Sequence, residues 1–85
     1  MIVAYHKKFT KRLAKLSPKI QAAFYKKLEI FYDDRYDKRL NNHALHGVFA
    51  GSRSIDVTGN YRAVFVENAD SVIFTVIGTH PELYE

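Results

Sequence analysis

The chain has no cysteine. That removes both disulfides and thiolate metal ligation, and makes a reducing cytoplasm the expected location. It also lacks any run approaching the ~18 consecutive apolar residues that a membrane span requires. At the start, MIVAYHKKF places its charges behind a very short apolar run, the reverse of signal-peptide order. No internal repeat, low-complexity segment or glycine-rich phosphate loop is present. The four histidines, at positions 6, 43, 46 and 80, have no compact ligand spacing, so neither a metal nor a cofactor is expected. What remains is a chain of 85 residues, 47% apolar and 26% charged, which is ordinary globular composition. One small domain spanning 1–85 is the expectation, near the lower size limit for burying a core without covalent staples.

The net charge of +4 is unevenly spread. Residues 1–40 hold eleven Lys and Arg against four acids, a balance of +7. Residues 41–85 hold only Arg53 and Arg62 against five acids, a balance of −3, together with three of the four histidines. A basic half attracts phosphates without regard to sequence. Lysines on helix surfaces also serve solubility alone, so the asymmetry suggests a division of labour without establishing one.

The residue patterns predict a mixed α+β fold. IVAY (2–5) is short, β-branched and aromatic, as a first strand should be. In KKFTKRLAKL, Phe9, Leu13 and Leu16 recur at helical spacing with the cations largely elsewhere. Ser17 and Pro18 then punctuate as N-cap and first helical residue. A second helix from Pro18 to about Tyr32 would bury Ile20, Phe24, Leu28 and Phe31, and the short link makes an antiparallel helical hairpin. DDRYDKRLNNH reads as a polar loop, with His46 as a turn residue and His6 as a structural residue at the strand-to-helix junction. After Gly47, strands are expected over 48–57, 61–67 and 71–77, with Gly51 read as a bulge and TGN and NAD as turns. The architecture is β-α-α-β-β-β, with the hairpin on one face of a mainly antiparallel sheet.

Strand alternation sorts the side chains by face. Arg53, Ile55 and Val57 oppose Ser52, Ser54 and Asp56, while Arg62, Val64 and Val66 oppose Tyr61, Ala63 and Phe65. One face must be apolar for the helices; the other can present polar groups. Which face Arg62 takes is left open by the pattern.

Three segments, LNNHALHGVFAG, SIDVTGNYRAVF and VIGTHPELYE, occur in that order. Together they resemble the C-terminal half of the RelE/ParE toxin superfamily, in particular its YafQ-like branch of type II toxin–antitoxin systems. The branch carries a His-x-Leu-x-Gly segment, matched by His43 to Gly47, and a closing Gly-Thr-His with an aromatic four residues on. The helical hairpin fits the same fold, so the resemblance spans essentially the whole chain.

The resemblance implies an endoribonuclease that cleaves messenger RNA in the decoding site of the ribosome. It implies as partners the ribosome, the message and an acidic, partly helical antitoxin, with no membrane partner. The implied reaction is a metal-independent transesterification that needs a base, an acid and a cation. His80, in the Gly-Thr-His motif, takes the role of general acid, since imidazole ordinarily titrates near ~6.5. Arg62 supplies the cation for the scissile phosphate. The base is either Asp56, which stands where the branch has a second histidine, or His43, which matches its first. Tyr84 is placed to stack on an unpaired base, and Tyr61 takes the position of an aromatic substrate contact at the turn. The branch's arginine four residues before the closing histidine is replaced here by Val76. A competing reading is a ParE-like binder of DNA gyrase with the same fold. A third is a catalytically weakened toxin that only pairs with its antitoxin.

Overall fold

A computed structural model describes residues 1–84, with side chains through residue 83. The chain is α+β, a helical hairpin on one face of a five-stranded, mostly antiparallel sheet. Strand β1 (Ile2–Tyr5) leads into helix α1 (Lys7–Lys15) and helix α2 (Pro18–Asp33). Strands β2 (His43–Ala44), β3 (Arg53–Asp56), β4 (Tyr61–Glu67) and β5 (Ser71–Thr79) follow, and a short helix α3 (His80–Tyr84) comes last. Among the described residues, no helix is long and apolar enough to cross a membrane.

Local chemistry explains the hairpin. His6 caps α1, its ring nitrogen accepting from the Lys8 amide at 3.1 Å. Ser17 caps α2, its hydroxyl accepting from the Ile20 amide at 3.3 Å, with Pro18 at the first turn where a missing N–H costs nothing. The two helices bury Phe9, Leu13, Phe24, Leu28 and Phe31 against Ile55, Ala63, Phe65, Val72, Phe74 and Ile77 of the sheet. Phe74 is the hub. Its ring centroid lies 5.4 to 5.6 Å from those of Phe9, Phe24, Phe31 and Phe65, and 5.9 Å from that of Tyr5.

The sheet order is β1-β5-β4-β3-β2, with β1 parallel to β5 and the other pairs antiparallel. Four details depart from the sequence reading. The strand expected over 48–57 is confined to Arg53–Asp56, because a 3-10 turn at Gly47–Phe49 and positive φ angles at Gly47 (66°) and Gly51 (90°) break the extended run. Gly51 is therefore a turn residue, not a bulge. The polar loop contains a 3-10 turn at Lys38–Leu40 and the two-residue edge strand β2, which gains its identity only by pairing His43 and Ala44 with Ser54 and Arg53. The tail after Thr79 winds into α3.

The actual bulge lies between β4 and β5. Val64 pairs with Val76 and Phe65 with Phe74, so Thr75 is the extra residue, its hydroxyl donating to the Val64 carbonyl at 3.4 Å. Because a strand alternates faces, the extra residue reverses the alternation beyond it. Val72 and Phe74 point to the helices, and beyond the bulge it is Ile77 that does so while Val76 joins the opposite face.

Replacing Phe74 with Ala should cost about 3–5 kcal/mol of unfolding free energy, as large-to-small changes at aromatic core positions do. Phe74→Leu should cost much less. Urea unfolding followed by circular dichroism measures both, and near-equal losses for the two would contradict the hub role of the ring.

Candidate active site on the outer sheet face

The face of the sheet away from the helical hairpin carries a second, smaller apolar cluster. Leu45, Val64 and Leu83 are buried there, with Phe49 and Val76 packed against them. The three buried residues come from the loop after β2, from the centre of β4 and from α3. Their packing draws the β2 end and the α3 end together across β4. Next to this cluster, which shares Leu45 with it, lies a cavity of about 440 Å³ lined by Asn41, His43, Ala44, Leu45, His46, Arg62 and His80.

Three of the four sequence-predicted catalytic residues thus face one cavity. His43 arrives on edge strand β2, Arg62 on β4 and His80 at the first position of α3. The His80 amide donates to the Asn60 carbonyl at 3.1 Å, fixing its backbone to the β3–β4 turn. The His43 Nδ1 lies 2.7 Å from the Asn41 carbonyl oxygen. A carbonyl only accepts, so Nδ1 carries the proton, and in the neutral ring Nε2 is left with the lone pair. Asn41 makes this approach from a left-handed conformation, φ 49°, which asparagine tolerates better than most residues.

Asp56, the fourth, does not line the cavity. It stands directly opposite Arg62 in the β3–β4 pairing, with Arg62 Nε 3.0 Å from Asp56 Oδ1. The pair is close as an ionic contact, yet Oδ1 makes no hydrogen bond, so the guanidinium N–H is not aimed at it. The other carboxylate oxygen accepts from Asn41 Nδ2 at a long 3.4 Å. The Arg62 guanidinium also donates to the Thr58 and Gly59 carbonyls at 3.3 and 3.2 Å. Its side chain is only 18% exposed, so it is held in place rather than swept through solvent. Gly78 sits opposite Arg62 on β5, and its missing side chain lets Glu82 and Leu83 of α3 approach the strand.

Tyr61 is not brought to this cavity. It follows the opposite alternation from Arg62 and is partly buried against the main core under the helices. The side chain of Tyr84 lies outside the described residues. Val76, standing where the resemblance expects an arginine, is packed against the smaller apolar cluster. Two cavity residues had no role in the sequence reading. His46 lines the wall, and Asn41 links His43 to Asp56; no sequence signal marks Asn41, because its part depends on the register of β2 with β3.

Three imidazoles, those of His43, His46 and His80, and the Arg62 guanidinium line one open cavity, a set that can accept a proton, donate a proton and hold a fixed positive charge. Among the described residues, no three His, Cys, Asp or Glu side chains are placed to hold a metal ion together.

No family model and no curated protein matches the sequence. Solved structures do match. YafQ from E. coli strain BL21(DE3) superposes with a TM-score of 0.79 at 17% identity, covering 98% of this chain and 97% of that one. The RelB–RelE antitoxin–toxin complex from Methanococcus jannaschii matches at 0.75 and 21% identity, covering 95% and 94%. A YoeB/ParE toxin from Agrobacterium tumefaciens matches at 0.78 and 12% identity, covering 94% and 99%. The chain therefore has the RelE/ParE-like toxin fold, the architecture shared by these YafQ, RelE and YoeB/ParE toxins.

Proposed function

We propose that this chain is a single cytoplasmic toxin domain of a type II toxin–antitoxin system, and that it cleaves messenger RNA on the ribosome. The observation that carries the reading is the convergence of His43, Arg62 and His80 on one cavity. His43 Nε2 takes the proton from a ribose 2′-hydroxyl, whose oxygen attacks the adjacent phosphorus. The P–O5′ bond breaks, and His80 delivers a proton to the departing oxygen. The products are a 2′,3′-cyclic phosphate and a 5′-hydroxyl, so atoms and charge balance without a metal. Arg62 neutralises the charge that builds on the phosphorane, in a site where Val76 leaves no second arginine. Asp56 acts on Arg62 as its ion-pair partner rather than as the base.

The antitoxin partner is supported by the antitoxin–toxin complex among the structural matches. The eleven cations of residues 1–40 supply a surface for its acidic chain and for ribosomal RNA.

Cleavage of a defined message on purified programmed ribosomes tests the function. The native protein should cut at discrete positions, and His80→Ala and His43→Ala should each slow cutting by about 10²- to 10⁴-fold, the range for a lost proton-transfer group. Absence of cutting by the native protein would leave gyrase binding or antitoxin pairing as the function. The division between Asp56 and His43 has its own test. Asp56→Asn should keep more activity than His43→Ala in a single-turnover assay. The reverse order would make the carboxylate the base.

A further inference from the structure

Residues 79–82, Thr-His-Pro-Glu, form a capping box around His80. Glu82 Oε1 accepts from the Thr79 amide at 2.7 Å, and Thr79 Oγ1 accepts from the Glu82 amide at 3.4 Å. In an ordinary capping box the acidic side chain serves only its own helix. Here the second carboxylate oxygen, Oε2, accepts from the guanidinium of Arg12 on α1, seventy residues earlier in the chain. One side chain thus ties α3 both to the end of β5 and to the helical layer.

We propose that Glu82 is a positioning residue for His80, holding the imidazole at the cavity through Thr79 on one side and Arg12 on the other. The inference rests on the nuclease reading above. A five-residue helix is far below the ~12–15 residues that persist alone in water, so its placement depends on external anchors. Among the described residues these anchors include Leu83 in the apolar cluster, the His80 amide on the Asn60 carbonyl, and Glu82. Only Glu82 among them reaches α1. His80 is the first residue of α3, so the direction in which its ring leaves the backbone follows the orientation of that short helix.

The fit against β5 is close. A Cβ built on Gly78 would stand 3.4 Å from both Glu82 Oε1 and Leu83 Cδ2, so α3 folds back directly over that glycine. The Thr79 amide, then the Thr79 hydroxyl and Arg12, hold the Glu82 carboxyl below its usual range. Both members of the Arg12–Glu82 pair are nearly half exposed, at 44% and 45%, so their link adds little to overall stability. Its effect is geometric.

The test compares Glu82→Ala, Glu82→Gln and Arg12→Ala with the native protein in single-turnover cleavage across a range of ribosome concentrations. The reading expects Glu82→Ala to lower the saturated rate constant by about 10- to 100-fold, as sub-ångström-to-ångström misplacement does, with half-saturation unchanged. Glu82→Gln, which keeps an acceptor for the Thr79 amide, should recover most of the rate, and Arg12→Ala should lower the same constant by a smaller factor. Native-rate cutting by Glu82→Ala, or a loss confined to half-saturation, would overturn the proposal. Should Glu82→Ala fail to fold, Arg12→Ala on the exposed helix face carries the same comparison. The His80 ring resonances of the free proteins form an independent arm. If the native protein cuts nothing, the nuclease reading falls alone. Ring resonances displaced in both Glu82→Ala and Arg12→Ala would still support positioning, and unchanged resonances would sink it.

Discussion

One extra residue in one strand sets the geometry of everything that follows it. Thr75 interrupts the β4–β5 pairing, and the alternation of β5 is reversed from there to its end. Without the insertion, Val76 would enter the core beneath the helices and Ile77 would be turned outward. Gly78 would leave the face that carries Arg62, and α3 would start from the wrong side of the sheet. The bulge lets a single strand serve the phenylalanine core with its first half and the cavity with its second. Bulges beside functional sites commonly re-aim side chains in this way.

The sheet thus separates two tasks. On the helical side, Phe9, Phe24, Phe31, Phe65 and Phe74 pack ring against ring in tilted and edge-to-face contacts, which concentrates much apolar burial into a chain of 85 residues. On the outer side, only three buried residues are needed to pin α3 and the β2 loop over β4. The polar groups that would be costly in the main core gather on this thinner side, which is open to solvent. Arg62 is held in one orientation by two carbonyls and by Asp56. A cation already oriented needs no rearrangement at the moment charge develops.

Much of this was legible in the residues. The Ser17–Pro18 punctuation and the 3.6-residue spacing of Phe24, Leu28 and Phe31 located the hairpin, because caps and stripes are local signals. β2, both 3-10 turns, the Thr75 bulge and α3 escaped notice for the opposite reason. Each owes its shape to a partner distant in sequence, as His43 does to Ser54 and Glu82 to Arg12. His43, Arg62 and His80 were picked out by motif, and the fold brings them to one cavity. Tyr61 illustrates a missed inference. Strand alternation alone sets it on the opposite side from Arg62, so the two neighbours do not line one cavity. The sequence offers Asp56 as one of two candidate bases; that it faces Arg62 directly depends on the β3–β4 register, which no local pattern encodes.

The parallel pairing of β1 with β5 has a consequence for how the protein is made. Residues 2–5 find their hydrogen-bonding partners only at 71–74, and β5 is the strand that stands between β1 and β4. A nascent chain that has not yet emitted β5 has the helical hairpin and the β3–β4 pair, with contacts such as Phe31 on Phe65 between them but without the strand that completes the sheet. The ring cluster lacks its hub, and α3 has no strand to grow from. Such long-range closure has to wait for the last strand, and contacts this distant in sequence form slowly. A chain truncated before residue 71 is therefore expected to leave β1 unpaired and the phenylalanine cluster without its hub ring, so that its helices and its β3–β4 pair do not reach the native packing.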